Sequence, residues 1–446
     1  MFKVKRTITA SLISFIVLCS ATAFGQGKIT VEINMGQERP RLAVPDFKPA
    51  SLDPQTPSLN TAFNETLWGD LENAGIFEMV ARSFYPLSVP TSPTGLQAAA
   101  WSNPPANAGL VAFGNVGVGS GKVDVQGWLI DVKNPTSPPI LGKQYREDAT
   151  VDNARLIAHR FADEIIARLG GIPGIAESKI FFVSSRSGAK EVWSMDYDGA
   201  NQKQLTHLNS IALAPDVSPD GSRVAFTALG RDSWQIMMHS LDLGRLVSFP
   251  RFGGDTFSSA WSPDGTKIAF ASAMHGGVSE IYIADASGGG ARRLTTSRGG
   301  DVSPVFNPKT GSQIAFVSGR TGLPQIYIMD SDGSNVQRIT DQGYAVSPAW
   351  SPNGLLLAFS WVRNYGPGIL GGADIYIMDI ASRQIVQLTH DGGRNDFPSW
   401  SPDGRHIVFE STRSGTAQIW SELADGTHVQ QLTRSGRNTQ PNWSYQ

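Results

Sequence analysis

A repeated unit whose copies are out of phase with the chain ends constrains the fold of this 446-residue chain. Five times, a strand-like stretch is followed by a turn and then by a run that resembles Ile-Ala-Phe. The five stretches end in Val217-Ser218, Trp261-Ser262, Phe306-Asn307, Trp350-Ser351 and Trp400-Ser401. A sixth such run, at 180–182, has no strand of this type before it, and a sixth Trp-Ser pair, at 443–444, is followed by only two residues. A closed ring reunites the two halves, which predicts a β-propeller of six blades completed by the C-terminal strand.

Each copy of the unit also indicates how many strands a blade has. In the Ser-Pro-Asp-Gly turn at 262–265, proline presets φ at the first turn position and glycine accepts a left-handed conformation, as a tight hairpin requires. After the Ile-Ala-Phe run come a third stretch, such as Ile-Tyr-Ile at 281–283, and a fourth that ends in a pair such as Leu-Thr at 294–295. We therefore predict four-stranded blades over residues 179–446.

The first residues have the pattern of an export signal. Basic residues within 3–6 precede an apolar stretch at 8–18, and small residues suited to cleavage follow at 21–25. We predict a signal peptide over residues 1–25, with Ala23 as the alternative last residue. The apolar stretch is shorter than the roughly 20 residues that cross a membrane, so we expect no stable insertion, and an uncleaved anchor is the alternative.

Cysteine content and charge narrow the expected chemistry and partners. Cys19 is the one cysteine of the chain and lies in the predicted signal peptide, so the exported protein would contain no disulfide. Lys and Arg number 37 against 39 Asp and Glu, and loss of the three basic residues of the signal takes the net charge from −2 to −5. A mildly acidic protein gives no reason to expect nucleic acid or an anionic membrane surface as its partner.

Residues 26–170 do not carry the repeat and alternate between strand-like and helical patterns, which predicts a small α/β domain. Apolar residues recur about every fourth position in two stretches, which predicts helices from Ser58, as the cap, to Gly75 and from Ala154 to Gly170. The predicted strands lie at 28–33, 41–44, 76–80, 109–113 and 123–132. A linker rich in glycine and proline, within residues 171–178, then leads to the ring.

Known catalytic and metal-binding motifs are absent from the sequence. The run Gly-Val-Gly-Ser-Gly-Lys at 117–122 is similar to a phosphate-binding loop, but Val116 and Val123 occupy the places of its first Gly and its Ser or Thr. This run is better interpreted as a hairpin turn. No Gly-x-Ser-x-Gly elbow occurs, and the seven His residues lack metal-ligand spacing. We predict a protein that is not an enzyme and binds no metal or cofactor. An exported propeller enzyme of the lyase or lactonase type, or a carbohydrate-binding protein with a channel site, is the alternative.

The order of these segments resembles one protein family. A signal peptide, a domain of about 145 residues, repeats of the Trp-Ser-Pro-Asp-Gly type and a terminal Pro-Asn-Trp-Ser at 441–444 are similar to TolB proteins over essentially the whole chain. TolB proteins are periplasmic propellers of the Tol-Pal envelope system of Gram-negative bacteria. The resemblance implies a periplasmic, monomeric scaffold that links the peptidoglycan-associated lipoprotein Pal to inner-membrane Tol proteins. It also implies roles in outer-membrane integrity and in envelope constriction at cell division.

The resemblance implies two binding regions. The segment just after signal cleavage would engage TolA, and here it corresponds to residues 26–40, with Lys28, Ile29, Val31, Ile33, Arg39 and Pro40 as candidate contacts. One face of the propeller would bind Pal, and other envelope proteins are further candidate partners. The repeated pattern does not include the loops, so individual Pal contacts do not follow from the motif.

Strand order indicates which loops form that face. The loop between the second and third strands and the link from the fourth strand to the next blade emerge on the same side of a blade. Candidates after second strands are Arg186, Arg231, Arg320, Arg363 and Arg413, and those before inner strands are Asp255, Arg298, Asp301, Tyr344, Arg394, Asp396 and Arg437. An insertion at 365–372 adds Ile369 and Leu370. The alternative is that the recurring Arg and Asp residues only tie neighbouring blades together by ion pairs.

Overall fold

The structure is a computed structural model that describes residues 39–363, 372–390 and 392–444. The predicted signal peptide, the predicted strand at 28–33 and the residues Ile369 and Leu370 lie outside the described residues. Within the described part, no helix is both long and apolar enough to cross a membrane.

The N-terminal domain is built on one mixed sheet. Its strands are β1 (Arg41–Ala43), β2 (Lys48–Pro49), β3 (Glu78–Met79), β4 (Leu110–Gly119), β5 (Lys122–Asp131) and β6 (Leu141–Asp148). The order is β3-β1-β4-β5-β6, and β2 pairs with the far part of β4. The pairs made by β1 and by β2 are parallel, whereas β4, β5 and β6 form an antiparallel meander.

Both faces of this sheet are covered. Helices α1 (Thr56–Asn73) and α3 (Val151–Gly170) bury Phe63 and Phe161 with one face of β4 and β5. The short helix α2 (Ala98–Ser102) and its flanking segments bury Trp101 with the other face, including Val111 and Phe113 of β4. Successive residues of β4 alternate between the two cores because strand side chains point to opposite faces. The predicted α/β class is confirmed.

Both helices begin earlier than predicted, and α3 begins at Val151 instead of Ala154 but ends at Gly170 as predicted. Helix α1 begins at Thr56, ahead of Ser58, and Ser58 lies in the first turn with its hydroxyl bonded to the Gln55 carbonyl. Proline at the second helical position explains the earlier start, because the first turn has no use for the missing N–H. Helix α3 runs through Gly170, and the left-handed residue is Gly171 at φ +69°. Thr150 caps the start of α3 by accepting a bond from the Asn153 N–H at 3.1 Å.

The β4–β5 hairpin confirms the interpretation of residues 117–122. Strand β4 continues six residues beyond the predicted end at Phe113 and pairs with β5 throughout. Ser120 and Gly121 form the turn with φ of +52° and +70°. The segment is therefore a two-residue hairpin with consecutive left-handed residues, and not the entry to a phosphate-binding helix.

The remaining chain forms six four-stranded antiparallel blades, as predicted. Blade 1 is β30 (Asn438–Trp443), β7 (Lys179–Ser184), β8 (Glu191–Asp196) and β9 (Lys203–Gln204). Blade 2 is β10 (Ala212–Val217), β11 (Arg223–Leu229), β12 (Trp234–Ser240) and β13 (Arg245–Val247). Blade 3 is β14 (Thr256–Trp261), β15 (Lys267–Ser272), β16 (Glu280–Asp285) and β17 (Arg292–Arg293).

The second half of the ring repeats this pattern. Blade 4 is β18 (Asp301–Phe306), β19 (Gln313–Ser318), β20 (Gln325–Asp330) and β21 (Gln337–Arg338). Blade 5 is β22 (Tyr344–Trp350), β23 (Leu356–Val362), β24 (Asp374–Asp379) and β25 (Ile385–Gln387). Blade 6 is β26 (Asn395–Trp400), β27 (His406–Ser411), β28 (Gln418–Leu423) and β29 (Gln430–Gln431).

Phenylalanine side chains of the second strands fill the space between blades. Each second strand contributes one ring that is less than 2% exposed: Phe182, Phe226, Phe270, Phe316, Phe359 and Phe409. These are the phenylalanines of the Ile-Ala-Phe runs. Both faces of every second strand are buried because each blade packs between two neighbours, which explains why these runs are apolar at successive positions.

The inner strands share a bulge that faces the central channel. One residue in each has positive φ, between +48° and +55°, and pairing with the second strand shifts register there. The six residues are Ala214, Ser258, Ser303, Ser347, Phe397 and Gln440. Proline follows in all but Ser258, which is tolerated because a bulge breaks the ladder of hydrogen bonds.

We expect that removing the last aromatic side chain of the chain destabilises the ring. Trp443 is buried against Ile180 and Phe182, and its indole N–H donates to the Ser178 hydroxyl at 2.8 Å. Trp443→Ala should lower the free energy of unfolding by about 3–5 kcal/mol, because it leaves a cavity where blade 1 closes. Trp443→Phe is the control and should cost less, since the ring is kept. Denaturant unfolding measures both, and a loss below about 1 kcal/mol for Trp443→Ala would contradict closure by β30.

A second prediction concerns an acid in the blade core. Glu422 occupies the position that Met195, Met329 and Met378 hold in other third strands, and its Oε1 has no partner among the described residues. Burial raises the pKa of Glu422 to about 7. Its folded-state pKa lies above the unfolded value, so the native protein loses stability as pH rises through that window.

Glu422→Met should therefore stabilise the protein at pH 8 by up to about 3 kcal/mol and much less at pH 5. Denaturant unfolding at the two pH values measures this difference. Replacement of the exposed Glu65 by Met is the control, and its effect should be the same at both pH values. Equal gains at pH 5 and pH 8 for Glu422→Met would show that Glu422 is not the titrating group.

Candidate functional site

The propeller has two faces with different loops. The turns between first and second strands and the links between third and fourth strands form one face, which we call the turn face. The loops between second and third strands and the links from fourth strands to the next inner strands form the other, which we call the loop face. Residues 185–190 and 205–211 of blades 1 and 2 are examples of the loop face.

The N-terminal domain lies on the turn face. His406 Nε2 donates to the carbonyl of Asn73 at 2.9 Å, and the Arg405 guanidinium donates to the carbonyl of Ala74. These two carbonyls are at the C-terminal end of α1, where polar groups of a helix lack partners within the helix. The contacting propeller residues follow the first turn of blade 6. Among the described residues, these contacts of the N-terminal domain are therefore with the turn face and not with the loop face.

Four of the predicted arginines stack on aromatic rings within their own blades. The guanidinium carbon of Arg320 lies 5.4 Å from the ring centre of Phe316 and 4.8 Å from that of Tyr327. Arg186, Arg363 and Arg413 each lie over two rings of their blades in the same way, at 4.6–5.8 Å. Each stack covers the loop-face end of the blade core and holds the guanidinium plane in place.

The stacked arginines also connect neighbouring blades. Arg413 donates to the side chain of Asn395 at 3.1 Å, and Asn395 donates to Asp374 of the preceding blade at 3.0 Å. Arg186 makes the same connection through Asn438, which donates to Gln418 at 2.7 Å. This arrangement supports the interpretation that these arginines tie blades together.

The sequence had suggested that Asp301, Tyr344 and Asp396 precede the inner strands. The structure places all three within the inner strands. Asp301 is fully buried and pairs with Arg320 at 2.9 Å, and Asp396 is buried and pairs with Arg394 at 2.6 Å. These two carboxylates therefore serve internal ion pairs. The predicted and observed positions differ because the inner strands begin earlier than the Trp-Ser motif alone indicates.

The loop face does expose a set of charged residues. These are Arg231, Asp255, Arg298, Arg363, Arg394 and Arg437. Arg394 is about half exposed even though it pairs with Asp396. Five of the six side chains are cationic, so this face presents a positive surface within a protein of net negative charge.

Sequence reasoning missed three exposed apolar side chains on the same face. Leu229 is the last residue of β11, whereas Val278 and Leu323 lie two residues before the third strands of blades 3 and 4, and all three are 37–42% exposed. The signal available in the sequence was a single apolar residue at or near a strand end, among glycines and polar residues. In blade 3, Phe252 stacks on Phe270 at 4.5 Å, whereas blades 1, 4, 5 and 6 place an arginine over the corresponding phenylalanine or its neighbouring rings.

The predicted contacts of the N-terminal segment are described only from Arg39 onward. Arg39 and Pro40 are exposed, and the Pro40 carbonyl accepts a bond from the Glu78 N–H at 3.1 Å, next to the start of β1. Lys28, Ile29, Val31 and Ile33 lie outside the described residues. The segment therefore enters the sheet between β3 and β4.

The central channel contains two cavities, of about 190 and 110 Å³. Asp216 lines both, and it accepts hydrogen bonds from the Trp261 N–H at 2.9 Å and from the Asn442 amide at 3.2 Å. Burial raises the pKa of Asp216 to about 7. Within the described residues, Asp216 is the one acidic group of the channel lining, and no group of three or more His, Cys, Asp or Glu is placed to hold a metal.

Comparison with known proteins identifies the family. The model of the TolB beta propeller domain matches residues 166–365 and 341–446. The Tol-Pal system protein TolB of Gluconobacter oxydans is 31% identical over 436 residues, which covers 86% of this chain and 90% of that protein. A TolB homolog of Chlorobium luteolum is 40% identical over 197 residues, but the match spans only 43% of either chain. The chain thus aligns with less than half the length of this relative and of a TolB homolog from Chlorobium chlorochromatii.

A solved structure agrees with the architecture described above. The crystal structure of TolB from Acinetobacter baumannii superposes with a TM-score of 0.75 and covers 92% of this chain and 97% of that one, at 23% identity. At this identity the likeness concerns the fold, and it includes both the propeller and the N-terminal domain. On the match of the propeller model and the near full-length relative, the chain belongs to the TolB family.

Proposed function

We propose that this protein is a periplasmic scaffold of the Tol-Pal system whose loop face binds the lipoprotein Pal. The observation that carries the proposal is the position of the N-terminal domain, which lies on the turn face against Arg405 and His406. A partner that binds the ring broadly therefore finds the loop face accessible. Membership of the TolB family and a relative named for the Tol-Pal system support the choice of partner.

The chemistry of the loop face suits a protein partner. Exposed cationic side chains surround single apolar side chains at Leu229, Val278 and Leu323. Protein interfaces combine apolar anchors with a charged rim in this way, and the charges direct encounter with an oppositely charged partner. The stacked arginines beneath give this surface a rigid base, which lowers the entropy lost on binding.

The segment before β1 is proposed to bind TolA. Residues 26–40 would precede the domain as an extension that reaches a second partner while the loop face holds the first. Linking an outer-membrane lipoprotein to the inner-membrane Tol proteins in this manner would serve outer-membrane integrity and envelope constriction at division. A monomer with two separate binding regions is sufficient for this role, and no catalysis is required.

Charge reversal on the loop face tests the site of Pal binding. In calorimetric titration of residues 26–446 with the periplasmic domain of the organism's own Pal, we expect saturable one-to-one binding. Arg394→Glu with Arg437→Glu should weaken it about tenfold or more, because two cationic groups at the rim change sign. Arg223→Glu with Arg292→Glu, on the turn face, is the matched control and should retain affinity.

The outcomes separate the alternatives. Equal affinity of both double variants would place Pal elsewhere than on the loop face. No binding by the unaltered protein would contradict the scaffold proposal and favour an exported propeller with a channel site. In that case the channel cavities at Asp216 would be screened with small ligands.

Deletion of residues 26–38 tests the TolA region. The shortened protein should lose measurable binding to the periplasmic part of TolA and keep one-to-one binding to Pal, since β1 and the propeller remain intact. Circular dichroism and a thermal melt verify that the fold is unchanged. Full TolA binding by the shortened protein would contradict the assignment.

A further inference from the structure

A buried polar group lies where the N-terminal domain meets the propeller. Asp70 of α1 accepts a hydrogen bond from the Tyr197 hydroxyl at 2.6 Å, and Tyr197 belongs to the link after the third strand of blade 1. The other carboxylate oxygen of Asp70 lies 2.8 Å from Nδ1 of His159, on α3. All three side chains are at most 4% exposed. The bond between Asp70 and Tyr197 therefore joins the two domains at a buried site.

An ion pair at the edge of this group also joins the domains. Arg155 of α3 donates to Asp198 of the same propeller link at 2.5 Å and to the Thr66 hydroxyl at 3.0 Å. Arg155 and Asp198 cancel each other's charge. The net charge of this group of five side chains, at the interface between the domains (the seam), therefore depends on the pair formed by Asp70 and His159.

That pair holds one proton when it is electrically neutral overall. Whether that proton is on His159 or on Asp70, its loss would leave the pair with an uncompensated negative charge, next to Asp198. A buried charge without a partner costs several kcal/mol, whereas an exposed one is solvated by water. Separation of the domains would remove Tyr197 from Asp70 and admit water to the pair. The proton is thus held more tightly when the domains are in contact.

We propose that docking of the N-terminal domain on the turn face is coupled to one proton held by Asp70 and His159. Lower pH then favours the docked arrangement, and higher pH favours release of the domain. This inference concerns the joint between the domains and is independent of which partners the protein binds.

The titration behaviour of the group agrees with this direction. Burial raises the pKa of Asp70, against the lowering effect of His159 and Tyr197. Burial lowers the pKa of His159, but the hydrogen bond and charge of Asp70 outweigh it and leave the pKa raised. Both pKa values are therefore raised above the ordinary values of the groups, which is the direction that the proposal requires of the docked protein.

Other titratable groups face the seam, and His406 among them enters the test as a control. From α3 these are Arg155 and Asp163, from the blade 1 link Asp196, Tyr197 and Asp198, and from the first turn of blade 6 Asp403, Arg405 and His406. Burial raises the pKa of Asp163 to about 6, and this carboxylate accepts the Ala176 N–H at 2.9 Å. His406 contacts the carbonyl of Asn73 and not the acid pair.

Spin labels on the two domains would measure docking directly. Cysteines introduced at Val151 and Leu243, both about half exposed, can be labelled selectively because the one natural cysteine, Cys19, precedes residues 26–446. The distribution of distances between the two spin labels is measured from pH 6 to pH 9. At pH 6 it should show one narrow population. A broader, longer population should grow at higher pH, with the docked-to-released ratio falling by up to about tenfold per pH unit.

Variants assign the proton to the pair. His159→Gln should make the docked fraction independent of pH, whereas His406→Gln should keep the midpoint of the unaltered protein. Tyr197→Phe should lower the docked fraction at every pH. Tyr145→Phe is its matched control, since it loses a bond from a phenol to Glu164 within the N-terminal domain, at 2.8 Å, and should dock as the unaltered protein does.

Several outcomes would overturn the proposal. One is a distance distribution that does not change between pH 6 and pH 9. Another is a midpoint that persists in His159→Gln or moves only with His406→Gln. A third is equal behaviour of Tyr197→Phe and Tyr145→Phe, which would show that the bond across the seam does not hold the domains. Circular dichroism at each pH distinguishes release of the domain from unfolding.

Discussion

Pairing of the C-terminal strand β30 with β7 is the interaction on which the propeller depends. It brings Trp443 beside Ile180 and Asn438 beside Ser184, across more than 250 residues of chain. Without it, blade 1 would lack its inner strand and the ring would have two open edges, since a blade is stable only between two neighbours. The remaining ties around the ring, such as those from Arg186 to Asn438, reinforce a closure that this strand pair makes.

Closure also determines how the two faces are used. The first turn of blade 6 and the third-to-fourth link of blade 1 come together only because β30 joins these blades, and they form the surface that receives the end of α1. The N-terminal domain is thereby fixed to the turn face by polar contacts, and the opposite face is the one that we propose for a partner. A polar seam can be opened at a smaller cost than an apolar one, which suits a joint that responds to pH.

Much of the architecture followed from the sequence, while the candidate site followed only in outline. The six-bladed ring, its four-stranded blades and the α/β class of the first domain were predicted from repeat phase and periodicity. The loop face was also predicted, but the role of single residues was not: Asp301 and Asp396 turned out to be buried in ion pairs. Leu229, Val278 and Leu323 were missed because an isolated apolar residue carries no pattern.

The sequence alone determined the number of blades, the closure by the last strand and the membership of strands in blades, because these depend on local hydrogen-bonding patterns and on the order of repeats along the chain. Only the tertiary structure decided which arginines are stacked within blades, where the N-terminal domain lies and that Asp70, His159 and Tyr197 meet. These contacts join residues up to 333 positions apart through packing of whole domains. Periodicity records which face of a strand or helix is buried but not which distant side chain it meets.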